Sequence, residues 1–149
     1  MIVEKSLTSA QRDDLRVISG MMIPESGEYK VPGGDDAAIQ GDILATLGRD
    51  TKMVSAALDH IARLAGKPLA ALDDAKRDAV VTEFRAGGGA PAATLARVIL
   101  QCYYRDDRVL RSLGIEPRAP FPKGHVLPDG DWSVLEPVKA RGGKLRGAT

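Results

Sequence analysis

The sequence predicts an all-α protein, a small bundle of five or six helices followed by a long, extended C-terminal arm rich in Pro and Gly. Three observations support this prediction. Apolar residues in the first three quarters of the chain recur every three or four positions, as they do on one face of a helix. Capping residues and helix breakers divide that part into segments of helical length. The period-2 alternation of a strand is not seen there, and five of the nine prolines fall in the last quarter.

The first three helices are delimited by their end signals. Helix one is predicted to begin at Thr8 or Ser9, because Thr8 and Gln11 have the spacing of a capping box, and to end before Pro24. Helix two begins with Asp35 or Asp36 as its cap, and helix three covers residues 51–65 with Gly66 as its C-cap. The residues expected to face the core in these helices are Leu15, Ile18, Met21, Met22, Ile39, Ile43, Leu44, Leu47, Met53, Val54, Ala57, Leu58, Ile61 and Leu64.

The remaining helices complete a bundle over residues 1–114. Helix four is predicted over residues 72–85, and the glycines at 87–89 are interpreted as a flexible interhelical loop before helix five. A short sixth helix ends at Gly114. The residues expected to be buried in helices four and five are Ala75, Ala79, Val80, Phe84, Leu95, Val98, Ile99, Cys102 and Tyr103.

Composition narrows the function classes. The chain has 149 residues, a net charge of +1 and one Cys, which fits a single domain without a disulfide framework. The charge balance argues against a nucleic-acid-binding protein, which usually carries a basic excess. No apolar stretch approaches the roughly 18 residues of a membrane span. The N-terminus shows no signal sequence, so a cytoplasmic protein is expected, or one exported with a partner that carries a signal.

The last 35 residues, 115–149, are predicted to form an arm that docks on a partner or on the bundle. Fully extended, they would reach at most about 120 Å, well beyond the roughly 35 Å width of the bundle. Ordering the backbone costs about 1–2 kcal/mol per residue, which the large apolar side chains of the arm do not clearly offset, yet these side chains are too many for a disordered linker and suit docking on a preformed surface. A short helical turn is expected within it, capped by Asp131 and ended by Pro137.

No residue pattern in the chain predicts catalysis or a metal site. The four acidic doublets, at 13–14, 35–36, 73–74 and 106–107, are interpreted as helix N-terminal caps. His60 and His125 are isolated from other metal ligands, and Cys102 is expected to be a small buried hydrophobe. The glycines at 87–89 lack the ending of a P-loop, and no dinucleotide-binding motif is present.

Several side chains are instead candidates for contact with another protein. Two adjacent tyrosines cannot both face the core, so one of Tyr103 and Tyr104 is expected at a surface. Tyr, Trp and Arg are frequent anchors of protein interfaces. The predicted interface residues are Tyr103, Tyr104, Arg108, Phe121, His125, Trp132 and Leu135.

Four segments carry a family resemblance. These are LTSAQRDDLRVISGMMIPESG at residues 7–27, GGDDAAIQGDILATLG at 33–48, YYRDDRVLRSLG at 103–114 and GDWSVLEPVKARG at 130–142. Together they resemble the gluconate 2-dehydrogenase subunit 3 family, whose members are small partner subunits of flavin-dependent oxidoreductases of the glucose–methanol–choline type. Many members carry a twin-arginine export signal, which is not found in this sequence.

The resemblance implies a non-catalytic small subunit of a heteromeric oxidoreductase. The large partner subunit would hold the FAD and the catalytic His, and would oxidise an alcohol group of a sugar or polyol. This chain would bind no cofactor itself and would stabilise the partner or assist its folding. The alternatives from the sequence are a helical adaptor or assembly factor for a non-flavin partner, and a stand-alone enzyme or ligand binder that uses His60 or His125.

Overall fold

The structure, a computed structural model, describes residues 6–117 and 128–142. Within these ranges it contains seven α-helices and no β-strand, so the all-α prediction is confirmed. The chain divides into two compact units, Met1–Pro117 and Arg118–Thr149.

The first unit contains six of the seven helices. They are α1 (Ser9–Met22), α2 (Ala37–Thr46), α3 (Thr51–Ala65), α4 (Asp74–Gly87), α5 (Gly89–Tyr103) and α6 (Asp107–Ser112). Two short 3₁₀ turns precede α3 and α4, at Gly48–Asp50 and Leu69–Ala71.

Local end signals set the bounds of α1 and α3. Thr8 and Gln11 form the expected capping box, in which the side chain of each accepts a hydrogen bond from the backbone N–H of the other, at 3.2 and 2.9 Å. Gly66 ends α3 with a φ of +66°, in the left-handed region that favours glycine. Both helices therefore begin and end where the sequence predicts.

The core of the first unit is centred on α3, which packs against α1, α4 and α5, while α2 packs against α5. The largest fully buried apolar side chains of this core are Leu15, Ile39, Ile43, Leu58, Ile61, Leu69, Ile99 and Val54. Branched aliphatic side chains supply most of the core, as expected for a chain with 4% aromatic residues.

The predicted apolar faces are too wide at several positions. Ala75 and Ala79 of α4 are exposed, as are Leu44 and Met53, at 37% and 44%. Helix α4 buries Val80 and Phe84, with Val81 partly buried beside them, and most of its other residues are exposed, so apolar spacing alone overestimates its buried face. The predicted flexible loop is also wrong, because α4 continues through Gly87 and only Gly88 separates it from α5.

The capping role of the acidic doublets is confirmed at three of the four. Asp36, Asp73 and Asp106 each accept a backbone hydrogen bond at the start of a helix. Asp14 is different, because it lies inside α1, is buried, and accepts a 3.0 Å hydrogen bond from the backbone N–H of Leu69. It joins α1 to the 3₁₀ turn before α4, a role that its spacing in the sequence does not reveal.

The second unit is described over residues 128–142 and contains a 3₁₀ turn, Trp132–Leu135, followed by α7 (Glu136–Ala140). Asp131 caps the turn, as predicted. Pro137 does not end the helical segment, and this prediction is wrong. It lies in the first turn of α7, where its missing N–H has no helical partner to lose.

Candidate partner interface

The loop between α1 and α2, residues 23–36, folds into a short antiparallel hairpin. Ser26 and Val31 exchange two backbone hydrogen bonds, of 3.2 and 3.1 Å, and Lys30 has a φ of +54° within the turn. Tyr29 lies at the tip and is 67% exposed. The loop is thus an ordered projection that presents an aromatic side chain to solvent.

The base of this loop is held closely against α1. The N–H of Gly34 donates a 2.7 Å hydrogen bond to the carbonyl of Ile23. The carbonyl of Gly34 accepts a 2.8 Å hydrogen bond from the buried side chain of Gln40. A Cβ atom at Gly34 would lie 2.4 Å from the backbone oxygen of Ser19. Only glycine allows this approach without displacing the backbone.

The far side of the loop is fastened to the end of α5 and the start of α6. The hydroxyl of Tyr103 donates a 3.2 Å hydrogen bond to the carbonyl of Pro32. The Arg108 guanidinium binds Asp36 at 2.8 Å and Asp106 at 2.9 Å, so one cation links the caps of α2 and α6. The contacts of Tyr103 with Pro32 and of Arg108 with Asp36 join residues 71 and 72 positions apart.

The charges of Arg108, Asp36 and Asp106 stabilise one another. Hydrogen bonds from Arg108 hold the pKa of Asp36 and the pKa of Asp106 below the ordinary value of 3.8. The same two carboxylates, Asp106 first, raise the pKa of Arg108 above its ordinary value. All three groups are therefore ionised at neutral pH.

An open cleft of about 610 Å³ runs along the loop. Its lining includes the bases Arg16, Lys30 and Arg108 and the acids Glu25 and Asp36. Such a wide, polar groove with both signs of charge differs from the enclosed, mostly apolar pockets that hold small ligands. It suits contact with the polar surface of another macromolecule.

The predicted interface residues lie in different surroundings. Tyr103 is buried at 5% exposure, with its ring edge-on to Tyr104, which is the exposed member of the pair at 53%. Arg108 is partly exposed within its ion pairs. Trp132 and Leu135 are exposed in the second unit, at 70% and 38%. Phe121 and His125 lie outside the described residues, and contact of all seven with a partner stays a prediction.

Two features of this surface were missed from the sequence. The exposure of Tyr29 was not predicted, although it stands in a Gly-containing loop where an aromatic residue has little to pack against. The pairing of Asp36 with Arg108 had no local signal, because the two residues are 72 positions apart.

Cys102 and His60, two residues of potentially reactive type, pack against other side chains of the first unit. Cys102 is buried, as predicted, and burial raises the pKa of its thiol, which lies 3.5 Å from the Thr46 hydroxyl. His60 is partly buried and contacts the ring of Phe84 edge-on at 5.5 Å. Within residues 6–117 and 128–142, His, Cys, Asp and Glu form no group of three that could hold a metal ion. None of the helices in these ranges has the length and apolar character to cross a membrane.

Comparison of the chain with family models, curated proteins and solved structures gives no match in any of the three.

Proposed function

We propose that this protein is the non-catalytic small subunit of a heteromeric FAD-dependent oxidoreductase. The partner subunit carries the flavin and the residues that oxidise an alcohol group of a sugar or polyol. This chain binds that subunit through the loop at residues 23–36, the adjoining α5–α6 corner and the second unit, and stabilises it or assists its folding.

The main support for the proposal is that the segments that resemble the family lie in contact with one another. The IPESG and GGDD stretches bracket the α1–α2 loop, and YYRDDRVL forms the α5–α6 corner. Arg108 binds Asp36 and so joins the GGDD and YYRDDRVL stretches, and Tyr103 bonds Pro32, the residue just before GGDD. Residues that resemble one family at distant places in the sequence therefore form one surface, which favours a shared role for them.

Exposed apolar side chains give a second line of support. Tyr29, Tyr104, Leu113 and Ile115 of the first unit are each at least half exposed, at 67%, 53%, 56% and 50%. A scattered exposed apolar residue needs no explanation, but exposed tyrosines are frequent interface anchors, and Tyr104 adjoins Arg105, which pairs with Asp42 at the same end of α5.

The test is co-expression of the tagged full chain with a flavin-dependent oxidoreductase of the glucose–methanol–choline type from the same genome. We expect one species on size exclusion that contains both chains, shows the visible absorbance of bound FAD and reduces an artificial electron acceptor when a sugar or polyol is supplied. We also expect the flavoprotein to be less soluble when expressed alone.

Two results would contradict the proposal. One is that the two chains elute separately while the flavoprotein is fully active by itself. The other is a stable complex with a protein that contains no flavin, which would favour the alternative function of a helical adaptor. A Tyr104→Ala variant should weaken the complex, whereas Met53→Ala, a matched exposed apolar change on α3, should leave it intact.

A further inference from the structure

Residues 32–36, the last five of the α1–α2 loop, are held in place without a buried apolar side chain of their own. The buried apolar residues of the first unit pass from Ile18 in α1 directly to Ile39 in α2. Between these two, Ile23 and Val31 pack against the core but are only partly buried. Segments with few buried apolar contacts are those that open locally while the rest of a domain stays folded.

Polar contacts hold residues 32–36, which we call the latch, to the two helices that flank the loop. On the side of α1, the Gly34 N–H donates its 2.7 Å hydrogen bond to the Ile23 carbonyl. On the side of α2, the Gln40 side chain donates a 2.8 Å hydrogen bond to the Gly34 carbonyl. Both bonds belong to the backbone of one residue, so lifting that residue breaks them together.

Two further contacts come from the α5–α6 corner. The Tyr103 hydroxyl bonds the Pro32 carbonyl at 3.2 Å, and the Arg108 guanidinium binds Asp36 at 2.8 Å. We call Tyr103 and Arg108 the catches. They hold the two ends of the latch from helices that are distant in the sequence, so the position of the latch depends on the corner.

A buried hydroxyl beneath the latch opposes its closure. Ser19 of α1 is fully buried, and its Oγ atom makes no hydrogen bond with any residue in the described part of the chain. A Cβ atom at Gly34 would lie 3.3 Å from the Cβ atom of Ser19, so the latch backbone covers this side chain. A buried hydroxyl without a partner costs free energy, which is recovered when water reaches it. The closed latch therefore carries a cost that an open latch does not.

From these observations we propose that residues 32–36 open as a unit while the helices of the first unit stay folded, and that the catches set how often they open. Opening frees the backbone groups of Gly34 and exposes the Ser19 hydroxyl. A protein that binds the α5–α6 corner and draws Arg108 away from Asp36 therefore opens the latch. This inference does not depend on whether that protein carries a flavin.

The amide proton of Gly34 reports the latch directly, because its hydrogen bond is lost on opening. Hydrogen exchange of the ¹⁵N-labelled full-length chain is followed by NMR under native conditions. We expect Gly34 to exchange at least about 10-fold faster than the slowest amides of α3, at a rate that changes little with urea below the unfolding transition. The exchange of those α3 amides should rise steeply with urea, because it requires global unfolding.

Ser19→Ala tests the cost of closure. It should slow exchange at Gly34 at least about 5-fold, because the closed latch no longer buries an unpartnered hydroxyl. Ser55→Ala is the control, since the Ser55 hydroxyl accepts a 2.8 Å hydrogen bond from Gln11 and joins α1 to α3 whether the latch is open or closed. It should leave the Gly34 rate within about 2-fold of wild type. Faster exchange at Gly34 in Ser19→Ala would overturn the inference.

Tyr103→Phe and Arg108→Met test the catches. Each should speed exchange at Gly34 about 2- to 5-fold, because each removes one contact that only the closed latch makes. Arg105→Met is the matched control at the same corner, where Arg105 pairs with Asp42 at 2.6 Å and does not contact the latch. It should leave the Gly34 rate unchanged. Far-UV circular dichroism checks that every variant keeps its helical content.

Two further results would contradict the latch. If Gly34 exchanges as slowly as the α3 amides and with the same urea dependence, residues 32–36 open only when the whole unit unfolds. If Arg108→Met and Arg105→Met change the Gly34 rate equally, the catches have no special role. These measurements use the chain alone, so their failure leaves the proposed function untouched, and failure of the flavoprotein complex to form leaves the latch untouched.

Discussion

Gly34 is the residue at which the α1–α2 loop comes closest to a helix. A Gly34→Ala variant would place a Cβ atom 2.4 Å from the Ser19 carbonyl oxygen, so the loop base must shift. We expect a loss of about 1–3 kcal/mol in the free energy of unfolding, measured by urea denaturation.

Gly41 provides the matched control for this change. It lies in α2, and a Cβ atom there would meet nothing within 4 Å. Gly41→Ala should therefore stabilise the chain by about 0.5–1 kcal/mol, the usual helical advantage of alanine. Equal effects of the two substitutions would show that the loop does not approach α1 as described.

The ion pairs of Arg108 with Asp36 and Asp106, which hold the α1–α2 loop to α6, should depend on pH. The pKa values of Asp36 and Asp106 are lowered in the folded chain, so their stabilising effect is present above pH 4 and is lost as the pH falls through those lowered values. Arg108→Met should remove about 0.5–1 kcal/mol of stability at pH 7, since the groups are partly exposed, and less at pH 3.

The matched control for this pH effect is Arg111→Met. Arg111 pairs with Asp107 on the same short helix, at 3.1 Å, with both side chains more than half exposed. Its removal should change stability by less than about 0.5 kcal/mol at either pH. An identical pH profile for wild type and Arg108→Met would refute the role given to Arg108.

At the scale of elements, Asp14 joins α1 to the turn that precedes α4. Asp14→Ala leaves the buried N–H of Leu69 without its acceptor, which costs about 1–3 kcal/mol in the free energy of unfolding. Asp13→Ala, one residue earlier and exposed, should stay within about 0.5 kcal/mol of wild type. Chemical denaturation of both variants measures the difference, and a harmless Asp14 substitution would exclude this link.

At the scale of the whole molecule, the two compact units should be separable. A chain that stops after Pro117 retains all six helices and the whole described core of the first unit. We expect its unfolding free energy to change by less than about 0.5 kcal/mol, while binding to the proposed flavoprotein partner is lost. Thermal unfolding followed by circular dichroism, together with size exclusion of the mixture, tests both expectations. A large fall in stability would show that residues 118–149 support the first unit.

The sequence alone was sufficient for the all-α class, the bounds of α1 and α3, the caps at Asp36, Asp73 and Asp106, and the burial of Cys102. These features depend on interactions within a few residues, namely cap hydrogen bonds, glycine dihedral angles and apolar spacing, so they can be read along the chain.

Only the tertiary structure revealed the hydrogen bond from the Leu69 N–H to Asp14, the exposure of Ala75 and Ala79, and the ion pair between Arg108 and Asp36. Each of these depends on which helices pack together, and the local pattern of a helix does not specify its neighbours.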